Sequence, residues 1–329
     1  MLPGITFPWK FSLNLSKFCQ AHLNVWLFRY LPFWVSRWYL AQVGKIYYFF
    51  KRQEKALIKA TIRHIFGGDL EPQSLKNLIK DAFQGLIDHY HEKLFVAYSN
   101  FPRLLKFLKN RIKLNGEEEL QEILAQGRGL ILVTGHYGAV EFLRGALAVR
   151  GYPVTMICRF QTNRLRESLQ RRAEAVGLQL VDSDEGNIFM AAVKALKSGR
   201  IVVTECDEFD EWRPSESNNV TFLNCPLKGD RTLDILRKRS GAPVFTALMQ
   251  RHGKKNYTLN LIPVLDNPSE NQAAGKACLQ VLEASILATP AQWYQWKKFG
   301  QMLDLKPEAL DEHQKSGYLA PELQIPLPI

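Results

Sequence analysis

Two periods of hydrophobic positions alternate along most of the chain. Leu130-Ile131-Leu132-Val133 is an unbroken apolar run, as expected of a strand covered on both faces. Residues 154–158, 178–181, 201–204, 244–248 and 257–262 predict further strands. Between them apolar positions fall three and four apart, which predicts helices at 138–150, 164–176, 188–197, 232–240 and 271–288. Strands alternating with helices in this way require right-handed crossovers. The expected fold class is therefore α/β, with a mostly parallel central sheet flanked by helices.

Ahead of that pattern, residues 71–110 are helical throughout, with Leu75, Leu78, Ile79, Phe83, Leu86 and Ile87 stepping at three and four. Pro321, Pro326 and Pro328 stand among polar residues after 307 and predict a loosely held tail. There is no internal repeat and no long linker, so the chain divides into residues 1–65, an α/β domain at 66–306 and a tail at 307–329.

Charge sharpens the picture of the first region. The 329 residues carry a net charge of +11. Within 1–65 ten basic residues stand against Glu54 alone, so nine of those eleven charges are local. Trp9, Trp26, Trp34, Trp38 and Tyr47-Tyr48-Phe49-Phe50 are interleaved with them. Trp and Tyr favour the membrane–water interface, and Lys or Arg there meets anionic lipid, so 1–65 reads as a basic, aromatic-rich membrane-interface helical region. A helix packed on the protein's own core with a solvated basic face has the same composition. Interrupting charges argue against a spanning helix, and the start lacks a basic segment followed by a clean apolar core, so no secretory signal is expected. The basic and aromatic composition comes with no nucleic-acid motif, so no nucleic acid partner is expected. Five scattered cysteines without a CxxC pair exclude a disulfide framework and a zinc site as expectations and fit a reducing cytoplasm.

Candidate chemistry sits at the end of the first strand. His136 follows Thr134-Gly135, at the edge where open α/β sheets place their sites. Glu141 is five residues on, which is too far round for a good contact within one helix. The two meet if His136 lies in the turn and Glu141 one turn into the helix, giving a base held by a carboxylate. The reading further requires that the imidazole opens onto a groove able to admit an alkyl tail. His89 and His91, two apart on a helix, read as surface polar residues. Glu205-Cys-Asp-Glu-Phe-Asp210 reads as a solvated acidic turn, with no metal expected, and Cys206 as inert packing.

Several segments now align in one order: residues 126–136 with Glu141; Ile157-Cys158-Arg159 followed by Asn163; residues 195–199 leading to Asp207; residues 220–224; and residues 290–296 with Lys298 and Phe299. In this the chain resembles the bacterial late-acylating lipid A acyltransferases, the lauroyl/myristoyl transferase family, over about residues 30–305. The resemblance implies a membrane-associated enzyme on the cytoplasmic face of the inner membrane, peripheral or monotopic. It would move a fatty acyl group from acyl carrier protein or coenzyme A, as co-substrate, to a lipid hydroxyl, with no other cofactor. Its implied partners are acyl carrier protein, anionic membrane lipid and the lipid acceptor. His136 and Glu141 would be the catalytic base and its orienter. Arg159, Asn163, Arg172 and Asp207 would place substrate, and backbone N–H groups at Tyr137, Gly138 and Ala139 would receive the oxyanion. The sequence departs from the family at Phe209, where a second acid is usual, at Ala139-Val140, where Asn-Trp is frequent, and at Asn163-Arg164, where Asn-Pro is. These departures leave the catalytic pair intact but leave open acylation of another phospholipid, glycolipid or amphiphile. A non-catalytic lipid-binding protein on the same fold is the alternative from another class.

Overall fold

A computed structural model describes residues 22–306 except 159, 161–162, 183–185, 254 and 266–272, and omits the side chains of 22–23, 215–217 and 265. The expected C-terminal tail, Cys19, Trp9 and Arg159 lie outside the described residues. Four helices come first: α1 (His22–Tyr30), α2 (Phe33–Phe50), α3 (Arg52–Phe66) and α4 (Pro72–Tyr98). Next come α5 (Phe101–Arg111), β1 (Ile112–Asn115), α6 (Glu117–Ala125) and β2 (Leu130–Thr134). The alternating part runs through α7 (Leu143–Ala148), β3 (Val154–Cys158), α8 (Asn163–Glu174), β4 (Gln179–Asp182), α9 (Ile188–Lys197) and β5 (Ile201–Glu205). A hairpin of β6 (Pro214–Phe222) and β7 (Cys225–Asp230) precedes α10 (Thr232–Ser240), β8 (Val244–His252), β9 (Asn256–Leu265), α11 (Ala274–Ala288) and α12 (Trp296–Met302).

Seven strands form one sheet in the order β1-β9-β8-β2-β5-β3-β4. Every neighbouring pair is parallel except β8 with β9, as the alternating pattern predicts. β2 lies at the centre with all five residues buried. Leu130 and Leu132 face one apolar layer, with Phe142, Leu147 and Phe245; Ile131 and Val133 face the other, with Leu196, Leu236 and Cys278. That double burial is why the run carries no polar alternation.

Two expectations need correcting. The stretch 71–110 is two helices, because Asn100 Oδ1 accepts from the Arg103 amide at 3.2 Å and Pro102 sits in the next first turn, together starting a new helix. The stretch 138–150 is a turn, a single 3-10 turn at Val140–Phe142 and the short α7. Gly138 causes the delay: it has φ +59°, and a Cβ there would lie 1.7 Å from the Met249 carbonyl oxygen. The hairpin and β1 were not legible in the sequence as strands.

The described helices within 1–65 have one packed face and one exposed face. One face buries Phe28, Leu40, Tyr48 and Ile58, and α2 meets α4 through Arg37, which donates to Asp88 at 2.7 Å from two nitrogens. The other face leaves Trp26, Tyr30, Trp34, Trp38, Phe49 and Phe50 more than half exposed. Among the described residues no helix is long and apolar enough to cross a membrane.

Candidate active site

The register of the sheet assembles the site. β2 and β5 pair in parallel with Thr134 opposite Glu205, so residues two further along each chain, His136 and Asp207, emerge side by side at the C-terminal edge. The Asp207 carboxylate is fully buried and takes four hydrogen bonds. His136 Nδ1 lies 2.8 Å from Oδ1, the His136 backbone N–H donates to both oxygens at 3.1 and 2.9 Å, and Trp293 Nε1 donates to Oδ2 at 2.8 Å. Burial alone would raise its pKa, but the charge of His136 and the donated hydrogen bonds hold it below the usual carboxylate value. An ionised carboxylate only accepts, so Nδ1 carries the proton and Nε2 is turned toward the rim.

At the rim Nε2 meets Glu208 Oε2 at 3.3 Å and Glu205 Oε2 at 3.6 Å. Glu208 is itself held by Gln295 Nε2 at 3.0 Å and Lys298 Nζ at 2.7 Å. Burial disfavours the imidazolium, but Glu205, Asp207 and Glu208 outweigh it and push the His136 pKa up to about 10. The segment 205–208 is thus the acidic wall of the site and not a solvated turn. One atom each from His136, Glu205 and Glu208 lie within 4.8 Å of one another, a donor set of the kind that holds a divalent ion. Here Lys298 supplies positive charge to Glu208.

A folded-state pKa above the unfolded value of 6.5 makes the imidazolium a source of stability. That contribution is complete below pH 6.5 and is lost as pH rises through about 10. Thermal melting is expected to fall by several degrees from neutral pH to pH 10, and the fall is expected to flatten in His136→Gln. A wild-type curve as flat as the variant's would contradict the carboxylate cage.

The predicted partner of His136 is elsewhere. Glu141 lies in the 3-10 turn, is 8% exposed, and accepts from Arg144 Nη2 at 3.0 Å with His89 Nε2 at 3.9 Å. Burial works against its charge, yet Arg144, Lys93 and His89 bring its pKa down to about 2. Tyr294 stands by both groups, stacked on His89 with ring centres 3.7 Å apart and edge-on to His136 at 5.2 Å. The delayed helix start explains the miss, since the 3-10 turn carries the Glu141 side chain toward α4.

Other predicted residues also differ in place. The Tyr137, Gly138 and Ala139 amides donate to Gly135 O, Gln292 O and Met249 O at 2.7 to 2.8 Å, so they are committed to the fold and not open to an oxyanion. Arg172 donates to Val96 O at 2.8 Å and Ser99 O at 2.5 Å and lies over the Phe101 ring, fastening α8 to the end of α4. Asn163 is exposed at the start of α8. His91 is fully buried, 2.9 Å from Ser36 Oγ, and burial lowers its pKa to about 3. His89 is half-buried, its side chain 12% exposed, because α4 is covered on several sides. An apolar cleft walled by Leu104, Leu108, Leu169, Val176 and Leu180 reaches Glu141 and Arg144, not His136. Its free space, about 40 Å³, is little more than one water molecule occupies.

Sequence reasoning missed Glu205, Glu208, Tyr294, Gln295 and Lys298 as neighbours of His136. The equal distances of His136 and Asp207 from their strand ends were the usable signal. A comparison with curated proteins finds no match. A family model described as bacterial lipid A biosynthesis acyltransferase matches residues 17–298, so this chain belongs to that family and is an acyltransferase.

Proposed function

We propose that the enzyme transfers a fatty acyl group from a thioester of acyl carrier protein or coenzyme A directly to a hydroxyl of a lipid A-type acceptor. His136 is the general base and Asp207 the carboxylate that orients it. The observation that carries this reading is the buried, four-times-bonded Asp207 on Nδ1, which leaves Nε2 at the sheet edge. The acceptor hydroxyl takes the position beside Nε2 now held by Glu208. The imidazole acts in its neutral form, whose share grows as pH rises toward about 10. Nε2 accepts the hydroxyl proton as the oxygen bonds to the thioester carbonyl carbon, and Asp207 stabilises the imidazolium. The carbon–sulfur bond then breaks and the departing thiolate takes the proton from Nε2. The cysteines at 206 and 278 have pKa values raised by burial and play no part in this route.

The protein works peripherally on the cytoplasmic face of the inner membrane, with the exposed faces of α1 and α2 in the lipid interface. Trp34 and Trp38, one helical turn apart and each 62% exposed, support this placement. Replacing both by Ser is expected to weaken partition onto anionic vesicles about a hundredfold, from roughly 1.5 kcal/mol of lost apolar transfer per ring. Unchanged co-sedimentation would remove this face from the membrane.

The reaction itself is tested by incubating the purified enzyme with acyl carrier or coenzyme A thioesters and with a lipid A precursor, a phospholipid or a glycolipid. One acceptor should gain the mass of one acyl chain, and acid-quenched enzyme should carry none. Acylated enzyme forming at a rate that matches turnover would overturn direct transfer.

A further inference from the structure

A cavity of about 650 Å³ lies between α1, the junction of α4 with α5, and α8. That volume is in the range of sites for small molecules and headgroups. Among the described residues Arg29, Arg164, Arg171 and Arg172 line it, with Glu167 the one carboxylate beside them. The crowding is felt by Arg172: burial first, then Arg29 and Arg171, bring its pKa down to about 10. The N-terminal turn of the eleven-residue α5 also opens here through Phe101 and Pro102, adding the positive end of a helix.

A second observation is independent of charge. Tyr98 and Ser99 line the same cavity and are 6% and 0% exposed, yet among the described residues neither hydroxyl has a hydrogen-bond partner. A buried hydroxyl left unpaired costs about 1–3 kcal/mol. Two adjacent ones on the wall of an arginine-lined cavity describe donors waiting for an acceptor-rich anion. α1 sets the level of the site, because Arg29 shares it with Trp26 and Tyr30, which are more than half exposed.

We propose that this cavity receives the phosphate of a lipid headgroup, with the Tyr98 and Ser99 hydroxyls donating to its oxygens and Arg29, Arg164 and Arg171 supplying counter-charge. Arg172 shapes the wall while bound to Val96 O and Ser99 O. The inference rests on the acyltransferase reading for its acceptor and adds where on this chain that acceptor's phosphate is held. A phosphomonoester suits the site best, since its three terminal oxygens and extra charge match several convergent donors.

The test uses the full-length enzyme and phosphatidylcholine vesicles containing either phosphatidic acid or, at matched surface charge, phosphatidylglycerol. Phosphatidic acid is expected to be preferred about tenfold, the difference of one or two charge-assisted hydrogen bonds. Tyr98→Phe and Ser99→Ala leave net charge unchanged and are expected to abolish that preference while keeping binding to phosphatidylglycerol. Tyr98→Phe should fold at least as stably as wild type, since it removes an unpaired hydroxyl. Arg171→Gln, at an exposed position, provides a further variant that folding does not threaten. Equal binding of the two vesicle types, or a preference retained in both hydroxyl variants, would overturn the proposal. So would inorganic phosphate binding that phosphatidic acid vesicles fail to displace, which marks a site for free phosphate. Loss of acyl carrier protein binding in Arg171→Gln without loss of lipid preference assigns the surface to the carrier and also overturns it. Vesicle preference needs no turnover, so an enzyme that prefers phosphatidic acid but acylates nothing counts against the transfer chemistry alone. One that acylates without preference counts against this site alone.

Discussion

His136→Gln is expected to lower kcat/KM about 10⁴-fold and Asp207→Asn about 10³-fold, by analogy with triads in which base and orienter act as a unit. The argument for Asp207 is geometric. Asparagine can present N–H where Oδ1 now accepts from Nδ1, which would favour the tautomer with its proton on Nε2 and leave no base at the rim. Glu141→Gln is the discriminating control, because Glu141 bonds Arg144 and not His136. Its effect should be on stability, with kcat/KM of the folded fraction reduced less than tenfold. Glu205→Gln provides a third arm. Glu205 is the largest of the influences raising the His136 pKa, so the ascending limb of kcat/KM against pH should move to lower pH. The measurements are initial rates across pH with melting curves for each variant. If Glu141→Gln proves more damaging to turnover than Asp207→Asn, the pairing seen at the sheet edge is not the catalytic one.

That contrast shows what the sequence could and could not convey. Buried parallel strands announce themselves by uninterrupted apolar runs, so β2, β3 and β5 and their order of connection were legible. So was the position of His136, since a residue just past a central strand must lie at the C-terminal edge. Its partner was not legible from local spacing, because sheet register, a long-range property, pairs residues 136 and 207. The same limit hid the fate of the acidic segment. Glu205, Asp207 and Glu208 look like a solvated turn until Trp293, Gln295 and Lys298 arrive from a segment some ninety residues later. His89 and His91 failed for a different reason. The rule that residues two apart face different ways holds, but α4 is packed on several sides, so facing different ways does not expose either. The basic aromatic region supported two readings, and the helices show the packed one directly, with one face on α4, while the other face is aromatic and exposed. Composition cannot separate the two faces of one helix; burial does.

The site also depends on a buried ion pair that braces the turn after His136, and breaking it is expected to cost about 3–5 kcal/mol. Arg251 on β8 meets Glu92 on α4 through Nε at 2.7 Å and Nη2 at 3.0 Å, with side chains 9% and 2% exposed. The same Nη2 donates to Gly138 O at 2.5 Å, and the Arg251 backbone N–H donates to Gln292 Oε1 at 2.7 Å. One guanidinium therefore ties the long helix, the sheet and the turn after His136 together. Glu92→Leu strands a cation where water cannot reach it, and denaturant midpoints should fall accordingly. The double variant Glu92→Leu with Arg251→Met removes both charges and fills comparable volume, so much of the lost stability should return. Activity should not return with it, because the Gly138 carbonyl has lost its donor and the turn that aims His136 is no longer held. A double variant as unstable as the two single variants combined would show that Arg251 and Glu92 act independently. A double variant with full activity would show that the turn keeps its shape without them.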